Sequence, residues 1–347
     1  MPNACLLIPG ARLPESVAND VLSGLSDNER EALLRIQADN GEGVTQVLDT
    51  GPYRRAPHRV WLWKVLTREV TYPREAPWEW LSLGAREQAP ETWCLSALSL
   101  DESGTVTGSV IPDDETFFAA TMAISPVLNR AGFRLQLWDN RWFVTCADNL
   151  DVVATPLSAL YGRNLESTLT GSKADDTRAL LVALKEALGG KVAGIDAFWL
   201  WGGGRHCRFN PPTLIRSVLC EDAVIRGWAN SAGILNTYLL RENALWPDDT
   251  APGDVIAVLS GLYDPWLRGD WKRWAAALPG IADRLEVLRA QAAQREDTTA
   301  LTVLFGETGS ITLTPAKTTL LGRFFGSKKA TLGDWVSDHY RRAAAAQ

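Results

Sequence analysis

The chain holds 347 residues, 46% of them apolar and 22% charged, with a formal net charge of −6. That length permits one large domain or two ordinary ones around a sizeable core, and the balance excludes a disordered chain. With no basic cluster longer than Lys328-Lys329 or Arg341-Arg342, the acidic charge argues against nucleic-acid binding, which rests on phosphate neutralisation.

The segment Ala4 to Gly10 reads as a short buried strand stopped by Pro9-Gly10. Ser26 to Ala38 follows as a helix, with Ser26 as N-cap, Glu29 three residues on, and Leu33, Leu34 and Ile36 as its apolar side. Residues 40 to 58, rich in Gly, Asp and Thr, read as loop, and Arg59 to Arg86 mixes helix and loop among several Trp and Pro. Thr92 to Leu100 and Thr105 to Ile111 flank Asp101-Glu102-Ser103-Gly104 as a β-hairpin. Asp113 to Ala131 is a helix with Phe117, Phe118, Met122 and Leu128 on one side, kinked or broken at Pro126. Phe133 to Trp138 and Arg141 to Cys146 form a second hairpin about Asp139-Asn140.

Asp175 to Leu188 reads as a helix capped by Asp175 or Asp176 and ended by Gly189-Gly190. An apolar strand then runs from Ile195 to Trp201 and opens into Gly202-Gly203-Gly204-Arg205-His206 as a loop. Further on come a strand or helix start at Ser217 to Leu219, a helix near Asp222 to Leu235, and a buried strand from Asp254 to Ser260. Trp266 to Arg295 reads as helix divided at Pro279-Gly280, Ala300 to Phe305 and Ser310 to Thr314 as a hairpin, and Leu332 to Ala346 as a last helix. Helices alternating with apolar strands between residues 150 and 305 predict an α/β fold with a largely parallel sheet.

Cys5, Cys94, Cys146, Cys207 and Cys220 are odd in number, scattered and without a CxxC pair, the pattern of reduced thiols in the cytoplasm. No run of 18 apolar residues and no signal-peptide pattern is present, so no membrane span is expected. Fifteen Trp point either to aromatic cores and interfaces or to a stacking surface for carbohydrate or nucleobase. Three His leave little room for a two-metal hydrolase site.

The leading chemical candidate is Gly202-Gly203-Gly204-Arg205-His206. Successive glycine amides after a strand can turn toward an anion, and an adjacent Arg can make paired hydrogen bonds to phosphate or carboxylate. The alternative is a glycine-lined bend where a helix packs closely on the sheet. Neither a P-loop nor a GxGxxG fingerprint is present. His206-Cys207 makes a poor nucleophilic pair, since neighbours on an extended segment point opposite ways. Asp113-Asp114-Glu115, Asp175-Asp176 and Asp248-Asp249 sit at helix starts or loops, where capping and solvation explain them. Asp264 follows a strand end, where carboxylates of open α/β sheets often act, and Asp270 is either a second such group or a helix cap.

Phe198-Trp199-Leu200-Trp201-Gly202-Gly203-Gly204-Arg205 resembles the Trp-Leu-Trp-Gly-x-Gly segment of the archaeal-type, cofactor-independent phosphoglycerate mutases of the alkaline phosphatase superfamily. It is similar, more closely still, to a bacterial family of RpfE-type regulatory proteins. Tyr161-Gly162-Arg163-Asn164-Leu165, the hairpin from Ala131-Gly132-Phe133-Arg134-Leu135 to Trp142, and Gly269-Asp270-Trp271-x-x-Trp274 add to the resemblance, which makes Arg163 and Asn164 secondary candidates. It implies an alkaline-phosphatase-like α/β core, a largely parallel sheet flanked by helices, with an inserted or appended α+β hairpin module at about residues 90–150. Residues 1–310 are expected as one α/β domain, with 311–347 as a C-terminal strand and helix extension. The mutases end their first strand in a metal-binding Asp and add a Ser nucleophile and several Asp and His ligands. Here that strand ends in Pro9-Gly10, a later one in Ser260-Gly261-Leu262-Tyr263-Asp264, and Phe305-Gly306-Glu307-Thr308-Gly309 stands where an Asp-His pair is expected.

The expectation is therefore a cytoplasmic, non-catalytic protein of regulatory or ligand-binding type, with no metal and no cofactor, taking a small anionic ligand or a protein partner. The alternatives are a metal-dependent phosphomutase or phosphatase with an unusual site, and a Trp-rich carbohydrate-binding or scaffold protein.

Overall fold

The computed structural model describes residues 3–37, 40–83, 91–138, 140–147, 150–165, 169–189, 192, 194–210, 215–239, 253–295 and 298–315. In chain order the elements are β1 (Asn3–Ile8), α1 (Glu15–Ser23), α2 (Asp27–Gln37), β2 (Asn40–Val47), α3 (Pro57–Thr67), α4 (Ala76–Ser82), β3 (Glu91–Leu100), β4 (Val106–Val110), α5 (Asp114–Arg130), β5 (Arg134–Trp138) and β6 (Arg141–Cys146). There follow β7 (Val153–Ala154), α6 (Leu157–Leu160), β8 (Leu169–Thr170), α7 (Ala174–Leu188), β9 (Ala197–Gly204), β10 (Ile215–Leu219) and α8 (Ala223–Ser231). The last are β11 (Leu235–Thr237), β12 (Asp254–Val258), α9 (Tyr263–Arg268), α10 (Trp271–Ala293), β13 (Thr299–Phe305) and β14 (Gly309–Pro315).

The chain divides into two compact units: residues 1–50, 54–69 and 209–347 form the first, and residues 51–53 and 70–208 the second. The first is α/β. Its seven-stranded sheet runs β11-β10-β12-β1-β13-β14-β2, parallel from β11 to β13 and antiparallel at β14 and β2. β1 shows why a parallel sheet forms: Ala4, Leu6 and Ile8 on one face are fully buried, and so is Leu7 on the other. A strand covered on both faces needs helices on both, as parallel crossovers supply. On the face of Ala4, Leu6 and Ile8 the helices α1, α2, α9 and α10 share one apolar cluster with the strands. Elsewhere in this unit α3 and α8 meet through Trp63 and Trp228, edge to face at 5.2 Å.

Sequence signals set the ends of these helices. Ser26 and Glu29 close a capping box before α2, the Ser26 amide donating to Glu29 Oε2 at 2.8 Å and the Glu29 amide to Ser26 Oγ at 3.4 Å. Asp222 caps α8 by accepting from the Val224 and Ile225 amides. Helix α10 runs unbroken through Pro279-Gly280, and the division expected there falls instead at Gly269, a left-handed cap between α9 and α10. Burial of Leu278, Ile281, Ala282 and Leu285 on either side of the dipeptide outweighs one lost backbone hydrogen bond. The stretch expected as loop at residues 40–58 contains β2, which is a strand because β14 offers it an edge.

The second unit is α+β. β3 lies at its centre, pairing antiparallel with β4 and β6 and, along its other edge, with β9. β5 pairs antiparallel with β6, so both expected hairpins are present. The glycine-ended strand therefore belongs to this antiparallel sheet and not to the parallel one. Its three glycines lie inside β9, where a loop was expected. Helix α5 is capped by Asp113 and continues through Pro126. Phe117 and Leu128 are buried as expected, but Phe118 and Met122 face solvent, since the buried stripe runs through Ala120, Thr121 and Ile124. Helix α7 starts at Ala174 with Lys173 at the cap position, which places Asp175 and Asp176 in the first turn. There their charge meets the positive end of the helix dipole.

The expected helix at 332–346, with Asp248-Asp249, lies outside the described residues. No helix among the described residues is long and apolar enough to cross a membrane. Among the described tryptophans Trp138 is exposed, Trp61 and Trp271 are half-buried, and the others are buried. Aromatic cores account for most of the enrichment.

Candidate functional site

The second unit contains a cavity of about 740 Å³, within the usual range for small-molecule sites. Its wall is built from Tyr53 and four stretches: Thr71–Arg74 ahead of α4, the start of β3 at Glu91 and Trp93, Asp151–Ala154 around β7, and Gly202–Arg205 at the end of β9.

The glycines explain how these stretches come together. Gly202 has φ +67°, open to glycine at little cost, and its carbonyl accepts from the Glu75 amide at 2.8 Å. This bond ties the Thr71–Glu75 segment to β9. At Gly203 a Cβ would lie 2.0 Å from Cε2 of Trp93, and at Gly204 one would lie 2.4 Å from Cδ of Arg74. Absence of side chains thus lets the Trp93 ring and the Arg74 stem lie directly on the strand. In the adjoining wall Tyr53 stacks on Tyr72 with 6.0 Å between centroids, and its hydroxyl donates to the Pro73 carbonyl at 2.7 Å.

Glu91 is 3% exposed and still reaches the cavity wall. Its Oε1 accepts from Trp93 Nε1 at 2.8 Å, and the Leu150 amide points at both carboxylate oxygens from 3.3 and 3.4 Å. Burial pushes the carboxyl above its ordinary pKa; the two hydrogen bonds and the positive charges of Arg205 and Arg74 pull it back down. The cavity therefore brings together two arginines and one buried carboxylate among aromatic and glycine surfaces. Such a wall can hold an anion by charge and by the paired donors of guanidinium.

Of the candidates read from sequence, Gly202, Gly203, Gly204 and Arg205 line this cavity. The half-buried His206 packs its ring against Trp78 at 5.5 Å, and burial, aided by Arg208, lowers its pKa. Arg163 and Asn164 are not among the lining residues: Asn164 forms a β-bridge with Thr105, and the Arg163 carbonyl accepts from the Val106 amide. Asp264 and Asp270 belong to the first unit. Asp264 is paired with Arg268 at 2.9 Å and Arg273 at 3.6 Å, and Asp270 caps α10 by accepting from the Arg273 amide at 3.0 Å.

Tyr72, Arg74, Glu91 and Trp93 are residues that sequence reasoning passed over. Glu91 carried one usable signal, a carboxylate at the head of the apolar run Thr92-Trp93-Cys94-Leu95. A charge there is costly unless something polar faces it. Among the described residues no three His, Cys, Asp or Glu side chains converge as a metal-binding group.

No protein-family model matches the chain, and no curated protein does. Among solved structures it is similar to the cofactor-independent phosphoglycerate mutase from Thermoplasma acidophilum DSM 1728, at 11% identity and TM-score 0.42, covering 92% of this chain and 91% of that one. It is also similar to the PH0037 protein from Pyrococcus horikoshii, at 11% identity and TM-score 0.47, covering 92% and 88%. Neither likeness is strong enough to carry an activity or a residue role across.

Proposed function

We propose that this protein is a non-catalytic binder of a small anionic ligand, and that the cavity of the second unit is its site. The observation that carries the reading is the placing of Arg74 and Arg205 in one cavity wall beside the glycine-ended strand β9. Two guanidinium groups on a concave, partly aromatic surface favour an anion over a neutral ligand. Cytoplasmic location, a regulatory role and descent from a phosphoglycerate-mutase-like ancestor belong to the same proposal. They rest on the cysteine pattern and on the resemblance of Phe198 to Arg205.

Isothermal titration with inorganic phosphate and sulfate tests this. The parent protein should bind, and Arg205→Ala should weaken binding roughly tenfold, as expected for one charge-assisted contact, while leaving the unfolding transition in place because Arg205 is exposed. No measurable affinity in the parent overturns the reading. So does Mn-dependent turnover of phosphoglycerate that disappears on substitution of Asp264, since that result would make the chain an enzyme with its site in the first unit.

A further inference from the structure

The cavity poses an electrostatic problem for a simple anion. Glu91 is almost fully buried, and its burial is offset by the hydrogen bonds from Trp93 and the Leu150 amide and, to a lesser degree, by the positive charges of Arg205 and Arg74. An anion drawn to those arginines takes up that compensation and places a second negative charge beside the carboxylate. Buried charge without compensation is strongly unfavourable. Asp151, also in the wall, adds to the negative side while its carboxylate accepts from Ser172 Oγ. Among the described residues the donors placed on the Glu91 carboxylate are one indole N–H and one amide N–H, fewer than the roughly four lone-pair sites that its two oxygens offer.

We propose that the cavity selects an anion that also carries an ammonium group, its anionic end on Arg74 and Arg205 and its ammonium on Glu91. The inference rests on the reading of the cavity as an anion site and adds a second recognition element to it. Ammonium restores the positive charge beside Glu91 that the bound anion neutralises, and it donates to carboxylate oxygens that have acceptor capacity left. A cavity of about 740 Å³ has room for more than these two groups, so the natural ligand is an amino-phosphate or amino-carboxylate with a larger body.

Phosphoethanolamine is a small probe with both groups; ethyl phosphate lacks the ammonium, and 2-hydroxyethyl phosphate replaces it with a neutral donor. Titrated at one pH and ionic strength, phosphoethanolamine should bind at least about tenfold more tightly than either, a ratio of roughly 1.4 kcal/mol. Glu91→Gln keeps the shape and an oxygen for the Trp93 indole but removes the charge, and it should abolish that preference. Equal affinities for the three phosphates, or a hydroxyl probe as tight as the ammonium probe, overturn the proposal while leaving the anion site standing. A preference that survives Glu91→Gln overturns it too, and should that variant not fold, the ligand series on the parent protein decides alone. Failure of all three phosphates to bind overturns the anion-site reading itself. Co-sedimentation with phosphatidylethanolamine vesicles without binding of the free phosphate overturns it in favour of a lipid surface.

Discussion

Gly203→Ala is the sharpest perturbation of the cavity wall. The added Cβ would stand 2.0 Å from Trp93 Cε2, 2.1 Å from Cδ2 and 2.3 Å from Cζ2. Carbon atoms meet comfortably at ~3.5 Å, so the indole or the strand must yield by about 1.5 Å. Trp93 is only 2% exposed, which leaves the ring little freedom to move. Overpacking of this kind costs ~1–3 kcal/mol. Displacing the ring also breaks the 2.8 Å bond from its Nε1 to Glu91, and a hydrogen bond to a charged group is worth ~1.5–3 kcal/mol. The two effects together predict a loss of roughly 4 kcal/mol, a large share of the ~5–15 kcal/mol that holds a domain together. Backbone strain plays no part, because Gly203 has no left-handed φ. Urea denaturation followed by tryptophan emission reads the shift in midpoint, and Trp93→Leu in the same background should shrink the cost of the alanine. A Gly203→Ala protein with an unchanged midpoint and unchanged emission refutes the argument that the glycine exists to seat the indole.

Gly280→Ala is the opposite case: an exposed helical glycine whose added Cβ meets nothing within 4 Å should stabilise α10 by ~0.5–1 kcal/mol, seen as a higher urea midpoint. Asp222→Ala removes the cap of α8 and the 2.5 Å ion pair with the largely buried Arg59, and should cost about 2 kcal/mol in the same assay. His58, fully buried against Tyr263 and Phe305, is held well below its ordinary pKa of 6.5 by burial and secondarily by Arg59. The folded protein keeps the imidazole neutral while the unfolded chain takes up a proton below about pH 6.5, so stability is full above that pH and falls beneath it by up to ~1.4 kcal/mol per pH unit. His58→Leu should flatten that slope in unfolding curves taken across the range, and an unaltered slope would show that His58 is not its source.

Much of the fold was legible where local chemistry decides it. The Ser26-Glu29 box, the Asp113 cap, the Gly189 stop and the apolar runs of β1, β12 and β13 all mark their elements in sequence. Reading failed where a distant partner decides. β2 is a strand because β14 lies beside it, and its own Gly-Glu-Gly-Val carries no strand signal. Three glycines normally end a strand, yet Gly202 to Gly204 remain in β9 because β3 pairs again at Gly204 beyond a bulge, and a tryptophan and an arginine fill the space where the side chains of Gly203 and Gly204 would stand. The candidate site shows the same division. Arg205 was visible beside its glycines, while Arg74 and Glu91 lie far from it in sequence and meet it only in the folded unit.

The order of strands in the first unit bears on how the chain comes off the ribosome. β1 precedes every other described element in the chain, and both of its neighbours, β12 and β13, lie near the other end of the described residues. Residues 70–208 of the second unit are continuous and made in between. During translation the second unit therefore closes on itself while β1, an apolar strand with two unpaired edges, waits for partners not yet made. Vectorial synthesis thus sets the order of assembly against the order of sequence: every residue of the cavity wall is made before β12 and β13, so β1 is among the last strands to find its place.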